Sequence, residues 1–246
     1  MNESWVQFLI AGGVGFIVWE LRMLRKELSV RVHYRDCDRR MASTEKDIGE
    51  IKKKPFYDFF KRFIDLFAST LGILILWFPM LVIAVIVKCT SKGPAIYKQV
   101  RLTKNGKEFK LYKFRSMKVD AEANGAQWAK KDDDRVTKFG KFMRKVRLDE
   151  LPQLFNIFLG QMSIVGPRPE RPEFYEEFET YIHGFNQRLK VKCGLTGHAQ
   201  VNGGYDLLPQ EKILLDLEYI KKRSFFFDIK IMFQTIGVIF GRKGSR

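Results

Sequence analysis

Cysteine and histidine are scarce in this chain, with three of each in 246 residues. Cys37, Cys89 and Cys193 lie far apart without CxxC spacing. That excludes a disulfide framework and a structural zinc site, and it fits a soluble part facing a reducing compartment. His33, His183 and His198 form no metal-spaced set either. The opening MNES lacks a basic n-region and is followed by no small-residue cleavage site, so no secretory signal peptide is expected. Internal repeats and low-complexity tracts are absent as well. Acidic residues are in deficit, 28 Asp+Glu against 44 Lys+Arg, and the formal charge is +16. A surface of that sign attracts nucleic acid, anionic lipid or phosphorylated small molecules. No nucleic-acid module can be placed, so nucleic acid is not expected as a partner and lipid accounts for the charge.

Apolar runs are present, and two of them call for a membrane reading. Trp5–Trp19 carries no charge and has Trp at both ends. It is short against the about 17–25 residues of a spanning helix. Glu3 precedes it, whereas Arg22, Arg25 and Lys26 follow, a bias that puts the following chain in the cytoplasm. A spanning helix and an interfacial helix both fit. Ala11 and Gly15 offer a small-residue face on which a homodimer could close. Glu20–Lys54 reads as a charged helix or helical linker ending in Lys52-Lys53-Lys54-Pro55. Residues 1–55 thus form one unit and 56–246 a second.

The second run, Phe56–Val87, is long enough to span. Its flanks are basic on both sides: Lys52, Lys53, Lys54, Lys61 and Arg62 before, Lys88 and Lys92 after. Both ends therefore favour the cytoplasmic face. Pro79 interrupts the run, where it removes a backbone hydrogen bond and bends a helix. A re-entrant helix that enters and leaves by one face reconciles these facts. A straight spanning helix with a mild kink is the alternative.

Beyond Ala95 the period changes to two. Ala95–Leu102 and Glu108–Met117 flank Asn105-Gly106, a hairpin signal. Lys113 and Arg115 on the second arm either bind phosphate or solvate an outer face. Val136–Val146, Glu170–Leu189, Leu208–Lys222 and Ile229–Phe240 read as amphipathic helices, and Val191–Tyr205 as a glycine-studded loop. Phe225-Phe226-Phe227 beside Lys221, Lys222 and Arg223 suits either an interfacial membrane contact or ordinary core packing. The class expected is α+β, mainly helical and membrane-associated, with a re-entrant helix, a short β-hairpin and amphipathic interfacial helices.

The chemistry gathers in Arg144–Pro172. Asp149 and Glu150 stand side by side at the mouth of an apolar helix pattern that runs from Leu151 and stops at Gly160. Lys141, Arg144, Lys145 and Arg147 precede them, and Gly166-Pro167-Arg168-Pro169 follows. Carboxylates at a helix N-terminus feel the positive end of the helix dipole. Among cations and a rigid Arg-bearing turn, they point to phosphate chemistry. A plain N-cap role for Asp149 is the alternative.

Taken in order, the apolar segment, YKFRSM (112–117), DDRVTKFGKFMRKVRLDELPQLFNIFLGQMSIVGPRP (133–169), GLTGHAQVNG (194–203) and DLEYIKKRSFFFDIKIMFQT (216–235) resemble the bacterial sugar transferase family. These are monotopic phosphoglycosyl transferases acting on polyprenyl phosphate. The resemblance covers about 56–240 and leaves 1–55 outside. It implies that Asp149 is the nucleophile, attacking a UDP-sugar and expelling UMP, with polyprenyl (undecaprenyl) phosphate as the acceptor. It further implies that Glu150 binds Mg²⁺ and that Lys113, Arg115, Arg144, Pro167 and Arg168 surround the phosphates. The place implied is the bacterial inner (cytoplasmic) membrane, with the catalytic part facing the cytoplasm. Departures from the family pattern are Phe78 for Ser before the kinking Pro79, Cys193 for Pro, His198 for Trp and Gly204 for Arg. They favour the other reading, an inactive transferase-like membrane scaffold.

Overall fold

The computed structural model describes residues 54–119, 121, 133–203 and 207–241. The expected N-terminal helix, the charged linker, the Ala11–Gly15 face and Gly204 lie outside these residues. Within them the fold is mostly helical, with two small two-stranded sheets.

The longest element is α1, Pro55–Thr90, a helix of 36 residues. Pro55 stands at its start, where the missing N–H costs nothing. At 1.5 Å per residue it is about 54 Å long, well beyond the about 30 Å hydrocarbon core of a bilayer. It is the one helix among the described residues long and apolar enough to cross a membrane. Pro79 is inside it and the helix continues past the ring. Much of its surface is bare hydrocarbon: Phe63, Phe67, Leu74, Ile75, Trp77, Phe78 and Val85 are all exposed.

The remaining face is bound to the rest of the molecule from end to end. At the start, the Lys54 ammonium donates to the Arg223 carbonyl at 2.8 Å, and Lys61 pairs with Asp228 at 2.6 Å. One turn on, Asp65 accepts from Ser163 Oγ and the Ile164 amide. Arg62 donates to the carbonyls of Ile157 and Phe158, both at 2.8 Å. At the far end Met80, Ile83 and Val87 are buried with Phe114 and Met143.

After α1, β1 (Ile96–Leu102) and β2 (Glu108–Phe114) form an antiparallel hairpin that pairs Ile96 with Phe114 and Leu102 with Glu108. Asn105 (φ 62°) and Gly106 (φ 71°) both take the left-handed region at its tip. Asn and Gly are the residues that do so cheaply, and the expected turn is there. The second strand ends at Phe114, short of the expected Met117, because Arg115 and Ser116 turn inward and are buried.

Next come α2 (Lys138–Lys145) and α3 (Gln153–Phe158), separated by a 3₁₀ turn, Leu148–Glu150. Then β3 (Ser163–Val165) leads to α4 (Pro172–Tyr181). Here the structure departs from the sequence expectation. The helix expected over Glu170–Leu189 stops at Tyr181, because Gly184 turns left-handed (φ 84°) and Phe185–Lys190 continues as 3₁₀. The expected loop from Val191 contains β4 (Gly194–Thr196) and a one-turn helix, α5 (His198–Val201). β4 pairs parallel with β3, Ser163 opposite Gly194 and Val165 opposite Thr196. Strands of three residues are too short to show a period, so neither was visible in the sequence.

The chain ends in α6 (Pro209–Lys222) and α7 (Phe225–Gly241). α7 begins four residues before the expected Ile229, taking in the Phe triplet. The triplet divides between its two readings. Phe225 and Phe226 are exposed, whereas the Phe227 ring packs on His198 at 5.1 Å and Tyr219 at 5.9 Å. The main core lies between α4, the 3₁₀ segment, α6 and α7, built on Tyr175, Phe178, Phe185, Ile213, Leu217 and Ile231.

Candidate active site

Asp149 and Glu150 occupy the 3₁₀ turn between α2 and α3, and both are buried at 7% exposure. Three local features put them there. Thr137 caps α2 by accepting from the Gly140 amide at 2.9 Å. Gly140 then lies so close to the segment just after β2 that a Cβ would fall 2.0 Å from the Ser116 carbonyl oxygen. Arg147 takes a left-handed conformation (φ 57°), which reverses the chain just before the pair. The N-cap of α3 is Pro152, so Asp149 does not cap that helix.

Four cations converge on the pair from separate elements. Lys113 on β2 reaches Glu150 Oε1 at 3.4 Å, and Arg168 meets the same oxygen at 2.5 Å. Arg147 stands 3.9 Å from Glu150 Oε2. Arg144, in the last turn of α2, is held by a bond from its Nε to Ser116 Oγ at 2.9 Å and acts on Asp149 through its charge. Arg168 is aimed by the turn that holds it. The Gly166 amide donates to the Thr196 carbonyl at 2.8 Å, and the Pro167 carbonyl accepts from the Gly194 amide at 2.9 Å. A Cβ on Gly166 would fall 2.4 Å from the Lys192 carbonyl oxygen, so only glycine lets this turn lie flat on β4.

The two carboxyls are driven apart electrostatically. Burial opposes charge on Glu150, but Arg168 and Lys113 outweigh it and hold the carboxyl well below its usual range. For Asp149, burial and then the adjacent Glu150 charge push the carboxyl up, against Lys113, Arg144 and Arg168. Glu150 is the firm anion, with Oε1 engaged by Arg168 and Lys113. Asp149 is the less stabilised anion of the two.

The pair opens on a cavity of about 340 Å³ whose wall includes Arg101, Arg135, Arg144, Arg168, Arg171 and Lys212. Arg115 also lines it, but its guanidinium is engaged elsewhere. It donates to the carbonyls of Pro94 and Ser91 and to Ser91 Oγ, closing the loop that follows α1. Of the site residues expected from the sequence, Lys113, Arg144 and Arg168 thus stand around the pair, Pro167 shapes the turn, Arg115 braces a loop and Pro79 lies in α1. Sequence reading missed Arg188, whose Nε meets Asp216 at 2.8 Å and whose Nη2 donates to the Arg168 carbonyl at 2.8 Å. It fell in a stretch read as an ordinary amphipathic helix, and no local pattern distinguishes it.

Among the described residues no three His, Cys, Asp or Glu side chains cluster as a metal site. The donors present suit Mg²⁺ if substrate phosphates complete the shell, since this hard ion needs only one or two protein carboxylates. Glu150 Oε2, with Arg147 at 3.9 Å, is the more open oxygen for that purpose.

Two of the departures noted in the sequence, Cys193 and His198, are accommodated by local contacts. Cys193 is buried and its Sγ contacts Thr103 Oγ1 at 3.4 Å. The His198 ring meets Phe227 edge to face and stands 3.5 Å from Glu218. Phe78 faces outward on α1.

Comparison with known proteins agrees with this architecture. The family model described as bacterial sugar transferase matches residues 56–242. The chain is 37% identical over 247 residues to the UDP-N-acetylgalactosamine-undecaprenyl-phosphate N-acetylgalactosaminephosphotransferase of Aeromonas hydrophila, covering 99% of this chain and 57% of that one. It is 45% identical over 209 residues to the UDP-glucose:undecaprenyl-phosphate glucose-1-phosphate transferase of Klebsiella pneumoniae, covering 80% of this chain and 45% of that one. With a putative undecaprenyl-phosphate N-acetylgalactosaminyl 1-phosphate transferase of Bacillus subtilis it shares 53% identity over 129 residues, 52% of this chain and 72% of that one. The Aeromonas alignment takes in residues 1–55, which the sequence reading had set outside the resemblance. The chain spans about half the length of the first two relatives. With a match that extends over most of its length and holds the carboxylate pair, the cationic wall and the long apolar helix together, this chain belongs to the bacterial sugar transferase family.

Proposed function

We propose that the protein transfers a sugar-1-phosphate from a UDP-sugar to polyprenyl phosphate, with undecaprenyl phosphate as the acceptor the relatives' names point to. The observation that carries this reading is the buried Asp149–Glu150 pair on the wall of a cation-lined cavity. Asp149 Oδ attacks the sugar-bearing phosphorus and the bridging P–O bond breaks, so that UMP leaves with the bond's electron pair. The sugar phosphate is then held on the aspartyl carboxyl. An oxygen of the polyprenyl phosphate attacks the same phosphorus, the aspartyl–phosphorus bond breaks, and the carboxylate is returned. The product is a polyprenyl-diphosphate-sugar.

Phosphoryl transfer is served mainly by position and charge. Arg168, Lys113 and Arg144 supply fixed positive charge, and burial of the pair excludes water that would hydrolyse the intermediate. Glu150 would hold Mg²⁺, which when bound neutralises phosphate charge.

The site must also meet a lipid. The exposed apolar face of α1 and the outward Phe225 and Phe226 supply that contact, with Lys221 and Lys222 positioned for lipid phosphates. α1 is read as re-entrant. What supports this is that Lys54 and Lys61 at one end and Val87 at the other are all docked on the same body. The basic flanks support a position for that body on the cytoplasmic face of the inner membrane.

The test is single turnover with a UDP-sugar in lipid nanodiscs. Wild-type protein is expected to release UMP and to gain the mass of one sugar phosphate. Asp149→Asn is expected to lose both, with UMP release falling at least about a thousandfold. Full activity in that variant would refute the assignment of Asp149.

A further inference from the structure

Of the residues lining the catalytic cavity, Arg115, Arg188 and Gln200 each carry a buried polar atom without a hydrogen-bond partner, and Arg188 and Gln200 are the two that pair a free donor with a free acceptor. Arg188 is 3% exposed, and its guanidinium is fixed on two sides by Asp216 and by the Arg168 carbonyl. The guanidinium carbon lies 4.8 Å from the centroid of the Phe185 ring, which packs against it. The remaining nitrogen, Nη1, is buried with no hydrogen-bond partner. Gln200 shows the complementary defect. Its Nε2 donates to the Leu195 carbonyl at 2.9 Å. That bond sets the amide's orientation, since the flipped amide would oppose two carbonyl oxygens. Oε1 is left buried, an acceptor without a donor. Both residues line the cavity that holds Asp149 and Glu150.

One donor and one acceptor, each held rigidly by its other hydrogen bonds, select a ligand that offers the reverse pair. Sites with buried polar groups reject ligands that leave those groups unpaired far more strongly than apolar pockets reject a misfit. We propose that Arg188 Nη1 and Gln200 Oε1 read an amide-type edge of the sugar-nucleotide, with Gln200 accepting from its N–H and Arg188 donating to its C=O. The inference rests on the donor substrate assigned above. Such a substrate offers this edge in two places: the uracil imide, and the acetamido group of a 2-acetamido sugar.

The experiment uses the full chain in nanodiscs with Gln200→Leu and Arg188→Lys, the latter keeping a charge opposite Asp216. UMP affinity is measured by calorimetry, and kcat/KM is measured for UDP-N-acetylgalactosamine and UDP-galactose. If uracil supplies the edge, Gln200→Leu weakens UMP binding by about tenfold or more and depresses both sugars equally. If the acetamido group supplies it, UMP affinity holds while kcat/KM falls for UDP-N-acetylgalactosamine alone. A merely structural role would move neither UMP affinity nor the ratio between sugars. Unchanged UMP affinity together with an unchanged ratio in folded Gln200→Leu overturns the proposal, whatever Arg188→Lys does. Failure of the wild type to release UMP from any UDP-sugar would instead bring down the donor assignment. In that event binding decides on the pair: a drop in the affinity of Gln200→Leu for UMP or for UDP-N-acetylgalactosamine upholds it, and no drop for either overturns it.

Discussion

Asp149 and Glu150 are neighbours in sequence with opposite electrostatic fates, and the difference comes from which oxygens the cations touch. Arg168 and Lys113 bond Glu150 directly, whereas Asp149 feels them only as charges. Arg168→Lys should therefore do more harm than a conserved charge would imply, because an ammonium cannot repeat the planar fork's reach and direction. We expect kcat/KM for UMP release to fall about tenfold or more, with the melting temperature little changed. Cys193 provides a second test at this scale. Burial pushes its thiol up to about 12, so at pH 8 the reactive thiolate is scarce in the folded protein. With Cys37 and Cys89 replaced by Ser, iodoacetamide should leave the native protein unmodified over hours at pH 8 and label it within minutes in denaturant. Prompt labelling of the native form would contradict the packing around Thr103.

At the scale of elements, several features could be read directly from residues. Asn105-Gly106 announced its hairpin through the two left-handed positions that such turns require. The carboxylate pair was expected at a helix mouth, and it sits in the 3₁₀ turn just before α3. The parallel β3–β4 pair was illegible, since it joins segments separated by α4 and depends on close approach at Gly166 and Gly194. Arg188 was illegible for the same kind of reason. Its meaning comes from Asp216 and Arg168, and nothing nearby in sequence reveals either. Gly140→Ala puts the element-level contact to the test. With no room for a Cβ beside Ser116, α2 must shift, and overpacking of this kind costs about 1–3 kcal/mol. A lowered melting temperature is expected together with reduced activity, since Arg144 and the turn behind it move with the helix. Asp216→Ala should destabilise more, by about 3–5 kcal/mol, because it strands the Arg188 charge in the interior.

Across the whole molecule, the question is on which side of the membrane the two ends of α1 lie. Composition left a kinked spanning helix and a re-entrant one both open. What composition did not contain is the run of contacts from Lys54 through Arg62 and Asp65 to Val87, by which one body holds the helix at both ends. The native Cys89, exposed near the end of α1, and an introduced Asp58→Cys near its start bracket the apolar run. In membrane vesicles, a bulky impermeant maleimide should modify both from the cytoplasmic side and neither from the opposite side. Modification from opposite sides would establish a spanning helix.

The docking of α1 also links lipid to folding. Its inner face completes the cluster around Phe114 and Met143, and Arg62 satisfies the carbonyls that close α3, the helix that follows the carboxylate pair. Trimming this helix to obtain a soluble enzyme would therefore open the core and release the end of α3. A bilayer that covers the outer face of the same helix would behave thermodynamically as a ligand of the native state. Stability of the catalytic part should rise with the lipid available, so detergent-solubilised protein that loses activity over time is expected to regain it when lipid is restored before the chain unfolds.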